Sequence, residues 1–168
     1  MRILGVDPGT GICGFGVLDV PKKGTPILID SGAITTPPHT PLPERLLDIY
    51  HSLHEIISED KPDCVSIEKL FFMQNITTGI SVAEARGVVL LAAAEAHLPI
   101  FEYSPNEIKK AMTGYGHADK KQMQEMVRVY LKLDKIIKPD DASDAVAAAI
   151  VHSMFAKNHD TEHETRYN

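Results

Sequence analysis

A chain of 168 residues, 43% hydrophobic and 24% charged, is ordinary for a globular protein and long enough for one domain with a sizeable core. No run of about eighteen apolar residues free of charge occurs, which excludes a membrane-spanning helix and implies no membrane partner. The net charge of −6, taken as a total, argues against nucleic acid, but the charge is segregated: residues 104–138 carry eight basic residues against four acids, and residues 158–168 carry three acids against one Arg.

In chain order, residues 2–7 form a short apolar strand broken by Pro8-Gly9-Thr10-Gly11. Residues 14–20 and 26–36 read as two more strands with Gly24 at the turn between them, so the first three strands form an antiparallel meander. After the loop Pro37-Pro38-His39-Thr40-Pro41, the spacing of Leu42, Leu46, Tyr50, Leu53 and Ile57 predicts an amphipathic helix that Pro62 ends. Residues 63–68 are a strand with an acid at its end, followed by a loop over 71–75. Residues 80–97 are a helix apolar almost all round, as expected for one central in the core or half buried against a partner. Residues 99–103 are a further strand. Ser104-Pro105-Asn106-Glu107 is a capping box that starts a helix, and Thr113-Gly114-Tyr115-Gly116 breaks it. Helices over 119–133 and from Pro139-Asp140 onward complete the domain, expected over 1–157, with a polar, disordered tail over 158–168. The expected fold is α/β, a mixed sheet with helices on both faces, and the order of elements is that of the ribonuclease H architecture.

The remaining composition is less informative. Cys13 and Cys64 lack CxxC spacing, so no zinc site is expected, and Cys64 reads as a buried thiol. Among the eight histidines, His117, His152 and His159 show no ligand spacing, and most of the eight read as surface residues. Asp7 interrupts the N-terminal apolar stretch before it reaches the length of a secretory signal, so a cytoplasmic location is expected.

Acids stand where apolar core is expected. Asp7 ends the first strand and Glu68 the fourth, while Asp141 and Asp144 share one face of the first turn of the last helix. Each has a plainer reading. Asp7 alone fits a cap on the Pro8-Gly9 turn, and Asp140, Asp141 and Asp144 alone fit first-turn acids favoured by the helix dipole. Glu68, between Ile67 and Leu70, is costly to bury without a partner. As a set, four converging carboxylates repel one another unless divalent cations relieve them, and oxygen-only ligands suit Mg²⁺ or Mn²⁺.

These segments resemble the RuvC family of junction resolvases. Ile3-Leu4-Gly5-Val6-Asp7-Pro8-Gly9-Thr10 looks like the family's opening. Ser66-Ile67-Glu68-Lys69-Leu70-Phe71-Phe72 with Asn75 looks like its second motif, and Asp141-Ala142-Ser143-Asp144-Ala145 like its C-terminal acid pair. Glu84-Ala85-Arg86-Gly87-Val88, Phe101-Glu102-Tyr103 and Gly114-Tyr115-Gly116 with Ala118-Asp119-Lys120 also match, in order, from Met1 to about Ala156. The resemblance implies a Holliday junction resolvase, a crossover junction endodeoxyribonuclease in which Asp7, Glu68, Asp141 and Asp144 are the catalytic acids and metal ligands. It further implies two Mg²⁺ per subunit with Mn²⁺ as a substitute, and paired symmetric nicks leaving 5′-phosphate and 3′-hydroxyl ends. Phe71 occupies the place of an aromatic that contacts unpaired bases, while Phe72 reads as core. Lys109 and Lys120 match DNA-binding positions, and Arg86, Lys110, Lys121 and Arg128 are further candidates. Asp140 lies out of register with the motif and reads as a cap. Gln74 stands where many relatives have Lys, and many are basic overall; both departures bear on DNA affinity.

The implied partners are four-way junction DNA, a second copy of the chain and a branch-migration motor. A near two-fold junction needs two cuts, which a C2 dimer can deliver, and the apolar helix over 80–97 is the expected contact. The alternatives are a ribonuclease H-like nuclease acting on RNA and a non-catalytic junction-binding protein. A sugar-kinase or actin-like ATPase also places an acid and a Gly-Thr turn after its first strand, but needs two lobes that 168 residues do not supply.

Overall fold

A computed structural model describes residues 1–70 and 76–156. Ten elements follow one another: β1 (Arg2–Asp7), β2 (Ile12–Asp19), β3 (Ile27–Thr35), α1 (Leu42–Asp60), β4 (Cys64–Glu68), α2 (Ile76–Glu95), β5 (Ile100–Tyr103), α3 (Pro105–Thr113), α4 (Lys120–Tyr130) and α5 (Asp140–Ala156). The strands form one mixed sheet in the order β3-β2-β1-β4-β5. β1, β2 and β3 pair antiparallel, as the short turns between them require, while β1-β4 and β4-β5 are parallel across helical crossovers.

The period-two alternation of the strands divides the core into two layers. Leu4, Val6, Val17, Val65 and Ile67 pack on Ile49 and Leu53 of α1 and on Ala85, Val89, Ala92 and Ala93 of α2. Ile3, Leu18 and Cys64 face the other way, toward Ile108, Met123, Val127 and the run Val146–Val151. Helices therefore cover both faces of the sheet, as expected.

Local chemistry fixes the helix ends. α1 stops where Lys61 turns left-handed at φ 49°, just before Pro62. In the capping box of α3, the Glu107 backbone N–H donates to Ser104 Oγ at 3.2 Å and the Ser104 N–H donates to Glu107 Oε2 at 2.7 Å. Gly114, at φ 80°, ends α3 in the left-handed region that glycine enters without steric penalty. A second capping box, Asp119 with Gln122, starts α4 with the same reciprocal side-chain-to-backbone bonds.

Two expectations change. α2 begins at Ile76, four residues before the predicted start, so the weak helix formers Thr77, Thr78 and Gly79 lie within its first turn. His152 is buried at 3% exposure instead of lying on the surface. It stacks on Phe101 with ring centroids 4.0 Å apart, and its Nδ1 lies 2.8 Å from the Tyr103 hydroxyl. The reason is that every residue of α5 from 145 through 153 is buried, so a polar side chain there must find its partner inside. Cys13 and Cys64 are free and buried. Among the described residues no helix is long and apolar enough to cross a membrane.

Candidate active site

Asp7 and Glu68 are the last residues of β1 and β4, parallel neighbours in register from Ile3↔Cys64 to Val6↔Ile67. Both strands therefore deliver an acid at the same end of the sheet, on the face that α5 covers. That helix reaches them because the strands beneath it carry almost no side chain. A Cβ on Gly5 would stand 2.0 Å from the Ala145 carbonyl oxygen, and one on Gly14 would stand 2.0 Å from that of Asp141. Ser66 is the one polar residue in the seam, and its hydroxyl donates to the Ala148 carbonyl at 2.8 Å. The first turn of α5 thus lies directly over the end of β1 and brings Asp141 and Asp144 to Asp7 and Glu68.

The electrostatics report the crowding. Burial, then Glu68, Asp144 and Asp141, push the Asp7 carboxyl up from 3.8 to about 8, against the opposing pull of Lys120. Burial and Asp144 push Glu68 from 4.5 to about 7, while the Lys109 ammonium acts to lower it. Asp144 is also raised, by burial first, with Lys120 acting to lower it. Two hollows open onto these groups. One of about 250 Å³ is lined by Glu68, Lys109, Lys120, Met123 and Asp144, and one of about 180 Å³ by Asp7, Pro8, Glu68 and Lys69. Glu68 and Pro105 border both, so the two adjoin.

Crowded, largely buried carboxylates fit a hard divalent cation in charge and in donor chemistry. Among the described residues, however, no three acidic, histidine or cysteine side chains already converge as a finished cation site. A lysine holds part of that space: Lys120 Nζ lies 3.5 Å from Asp144 Oδ2 and 3.5 Å from Asp140 Oδ2.

The other predicted residues are distributed unevenly. Lys109 and Lys120 flank the acid cleft. Lys121 is exposed beside a separate hollow of about 410 Å³ with Thr113, Tyr115 and Gln122. Lys110 is exposed on α3, whereas Arg128 pairs with Glu125 at 2.5 Å and donates to the Leu133 carbonyl. Arg86 is turned inward, with its guanidinium ion-paired to Glu102 of β5 and its Nε buried. That arrangement makes it a tie between α2 and the sheet, not an exposed phosphate contact. Asp140, expected to cap the last helix, is instead its first residue. Its carboxylate engages Lys138 Nζ at 2.7 Å and Lys120. Phe71, Phe72, Gln74, Asn75 and the tail over 158–168 lie outside the described residues. The contacts made by Lys120 and the glycine seam were missed by the sequence reading. Gly5, Gly14 and Gly16, spaced to fall on one face of two paired strands, were the available signal for the seam.

A sheet of this order, with acids gathered where two central parallel strands end beneath the first turn of a buried helix, defines a nuclease of the ribonuclease H-like class. The sequence profile of the crossover junction endodeoxyribonuclease RuvC family matches residues 3–152. A RuvC from Desulfitobacterium hafniense is 53% identical over 154 residues, which cover 91% of this chain and 92% of that protein. RuvC from Thermus thermophilus superposes with a TM-score of 0.88 at 33% identity, over 98% of this chain and 99% of that one. The same protein in complex with a Holliday junction substrate superposes at 0.89, over 95% and 96%. The chain belongs to the RuvC family of crossover junction endodeoxyribonucleases, which are divalent-metal-dependent hydrolases acting on DNA.

Proposed function

We propose that the protein resolves four-way DNA junctions as a homodimer, with Asp7, Glu68, Asp141 and Asp144 as the catalytic acids and ligands of two Mg²⁺ per subunit. The observation that carries this reading is that Asp7 and Glu68 end adjacent parallel strands beneath the helix whose start carries Asp141 and Asp144, with burial and then the neighbouring acids pushing Asp7 up to about 8. When bound, a pair of divalent ions supplies an activated water and stabilises the leaving 3′ oxygen. Asp7, central in the cluster, would help to hold them, together with Glu68, Asp141 and Asp144. Glu68 and Asp144 face the cleft wall that carries Lys109 and Lys120, where the scissile phosphate is drawn in. Hydrolysis leaves 5′-phosphate and 3′-hydroxyl ends, which can be religated.

Phe71 is assigned to stacking on bases near the crossover, a contact worth about 1–3 kcal/mol. Lys121 is assigned to phosphate further from the acids. The dimer reading is supported by α2, where Ile80 and Leu91 are each 53% exposed on one outward stripe with Gly87. Family membership alone supports the branch-migration motor as a partner and the cytoplasm as the location.

The test combines a labelled four-way junction and a matched linear duplex with the protein, in Mg²⁺, in Mn²⁺ and in chelator, beside Asp7→Asn. Paired symmetric nicks on the junction alone, abolished by chelator and by the substitution, are expected. Binding without cutting under every condition would leave a junction-binding protein, and preferential cutting of an RNA junction would make it an RNA nuclease.

A further inference from the structure

Lys120 occupies an unfavourable place for a cation. It is the first residue of α4, where the helix dipole presents its positive end. What holds its ammonium there is carboxylate from α5: Asp144 Oδ2 and Asp140 Oδ2, each at 3.5 Å. The two acids differ in kind. Asp144 is in the acid cluster and half buried. Asp140 sits one turn back, outside the cluster, and its carboxylate is fixed from behind by Lys138 Nζ at 2.7 Å and by the side chain of the buried Gln124. The lysine side chain itself is 54% exposed and its ammonium stands at equal distance from the two.

We propose that Lys120 is a tethered counter-cation for the acid cluster, shared between Asp144 and Asp140, and that Asp140 receives it when a divalent ion takes Asp144. The idea rests on the reading of the acids as a metal site. It also accounts for the presence of an acid outside the motif that is held in place by its own partners. In this arrangement the lysine competes with metal, and Asp140 weakens that competition by offering the ammonium a second seat. Once displaced, Lys120 remains beside the cleft.

The test is Mn²⁺ binding to the full chain without DNA, followed by loss of the free-ion electron paramagnetic resonance signal. The variants are Lys120→Gln, Asp140→Asn, their combination, and Asp7→Asn. Melting in chelator confirms that each is folded. Lys120→Gln is expected to bind Mn²⁺ about twofold to fivefold tighter, the equivalent of releasing one exposed ion pair. Asp140→Asn is expected to bind more weakly, and to have little further effect once Lys120 is gone. Unchanged or weaker binding by Lys120→Gln overturns the proposal. So does an equal loss from Asp140→Asn in both backgrounds, which would make Asp140 a plain remote charge. Asp7→Asn separates the two levels: lost Mn²⁺ binding supports the acids as the metal site, and wild-type binding would overturn that reading and this proposal with it.

Discussion

In the folded, cation-free chain Asp7 titrates near 8 and Glu68 near 7, whereas their ordinary values are 3.8 and 4.5. An acid whose pKa rises on folding stabilises the fold in its protonated form. That contribution is complete below pH 3.8 and is lost as pH rises through about 8. The melting temperature of the protein in chelator is therefore expected to fall between about pH 5 and 8, where Mg²⁺ should restore it most strongly at the alkaline end. Asp7→Asn should flatten this pH dependence and abolish the rescue by Mg²⁺. A chelator melt that is flat over this range, or rises, would contradict the assigned cause. Arg86 illustrates a different physics. Replacement by Met removes the ion pair that ties α2 to β5 and should lower stability in urea unfolding, with junction affinity per folded molecule unchanged. The four acids were legible in the sequence because each interrupts an apolar strand end or opens a helix. The inward turn of Arg86 was not, because an arginine on an apolar helix reads the same whether it meets phosphate or a carboxylate from a strand sixteen residues away.

Among the elements, α5 and its glycine floor determine where the acids meet. Gly14→Val would drive a side chain into the Asp141 backbone, costing about 1–3 kcal/mol from overpacking. Because the helix must lift at the end that carries Asp141 and Asp144, cleavage by the folded fraction should fall further than stability does if those acids act as proposed. Ser66→Ala removes one buried hydrogen bond, worth about 1 kcal/mol, without moving the helix, and should leave cleavage intact. Urea unfolding beside junction cleavage by each variant checks the pair; equal activity loss in both would dissociate the seam from the site. The strands and most helices were legible from period and capping chemistry, α3 most clearly through Ser104 and Glu107. The seam was not. Residues 145–151 read only as apolar, and the match between small strand residues and a close helix backbone exists only once β1, β2 and β4 are side by side.

For the whole molecule, the negative total charge was misleading in isolation, since the cleft pairs its acids with Lys109 and Lys120 and keeps Lys121 exposed nearby. The outward face of α2 carries the prediction at this scale. Leu91→Glu places a charge on the proposed dimer contact, and light scattering at micromolar concentration should show a monomer where the parent chain is a dimer. Junction cuts should then lose their pairing, with single nicks replacing symmetric ones. A parent chain that is already monomeric would remove the dimer from the reading.

The helix that closes the acid cluster is also buried without interruption from 145 through 153. Separating Asp144 from Glu68 by lifting that helix means exposing the centre of the molecule, an opening that belongs with the least frequent excursions of a fold. Heat should therefore silence the protein and melt it on one schedule, with no long-lived inactive form that is otherwise intact. The slowest-exchanging amides in the chain should be found directly behind the turn that carries Asp141 and Asp144.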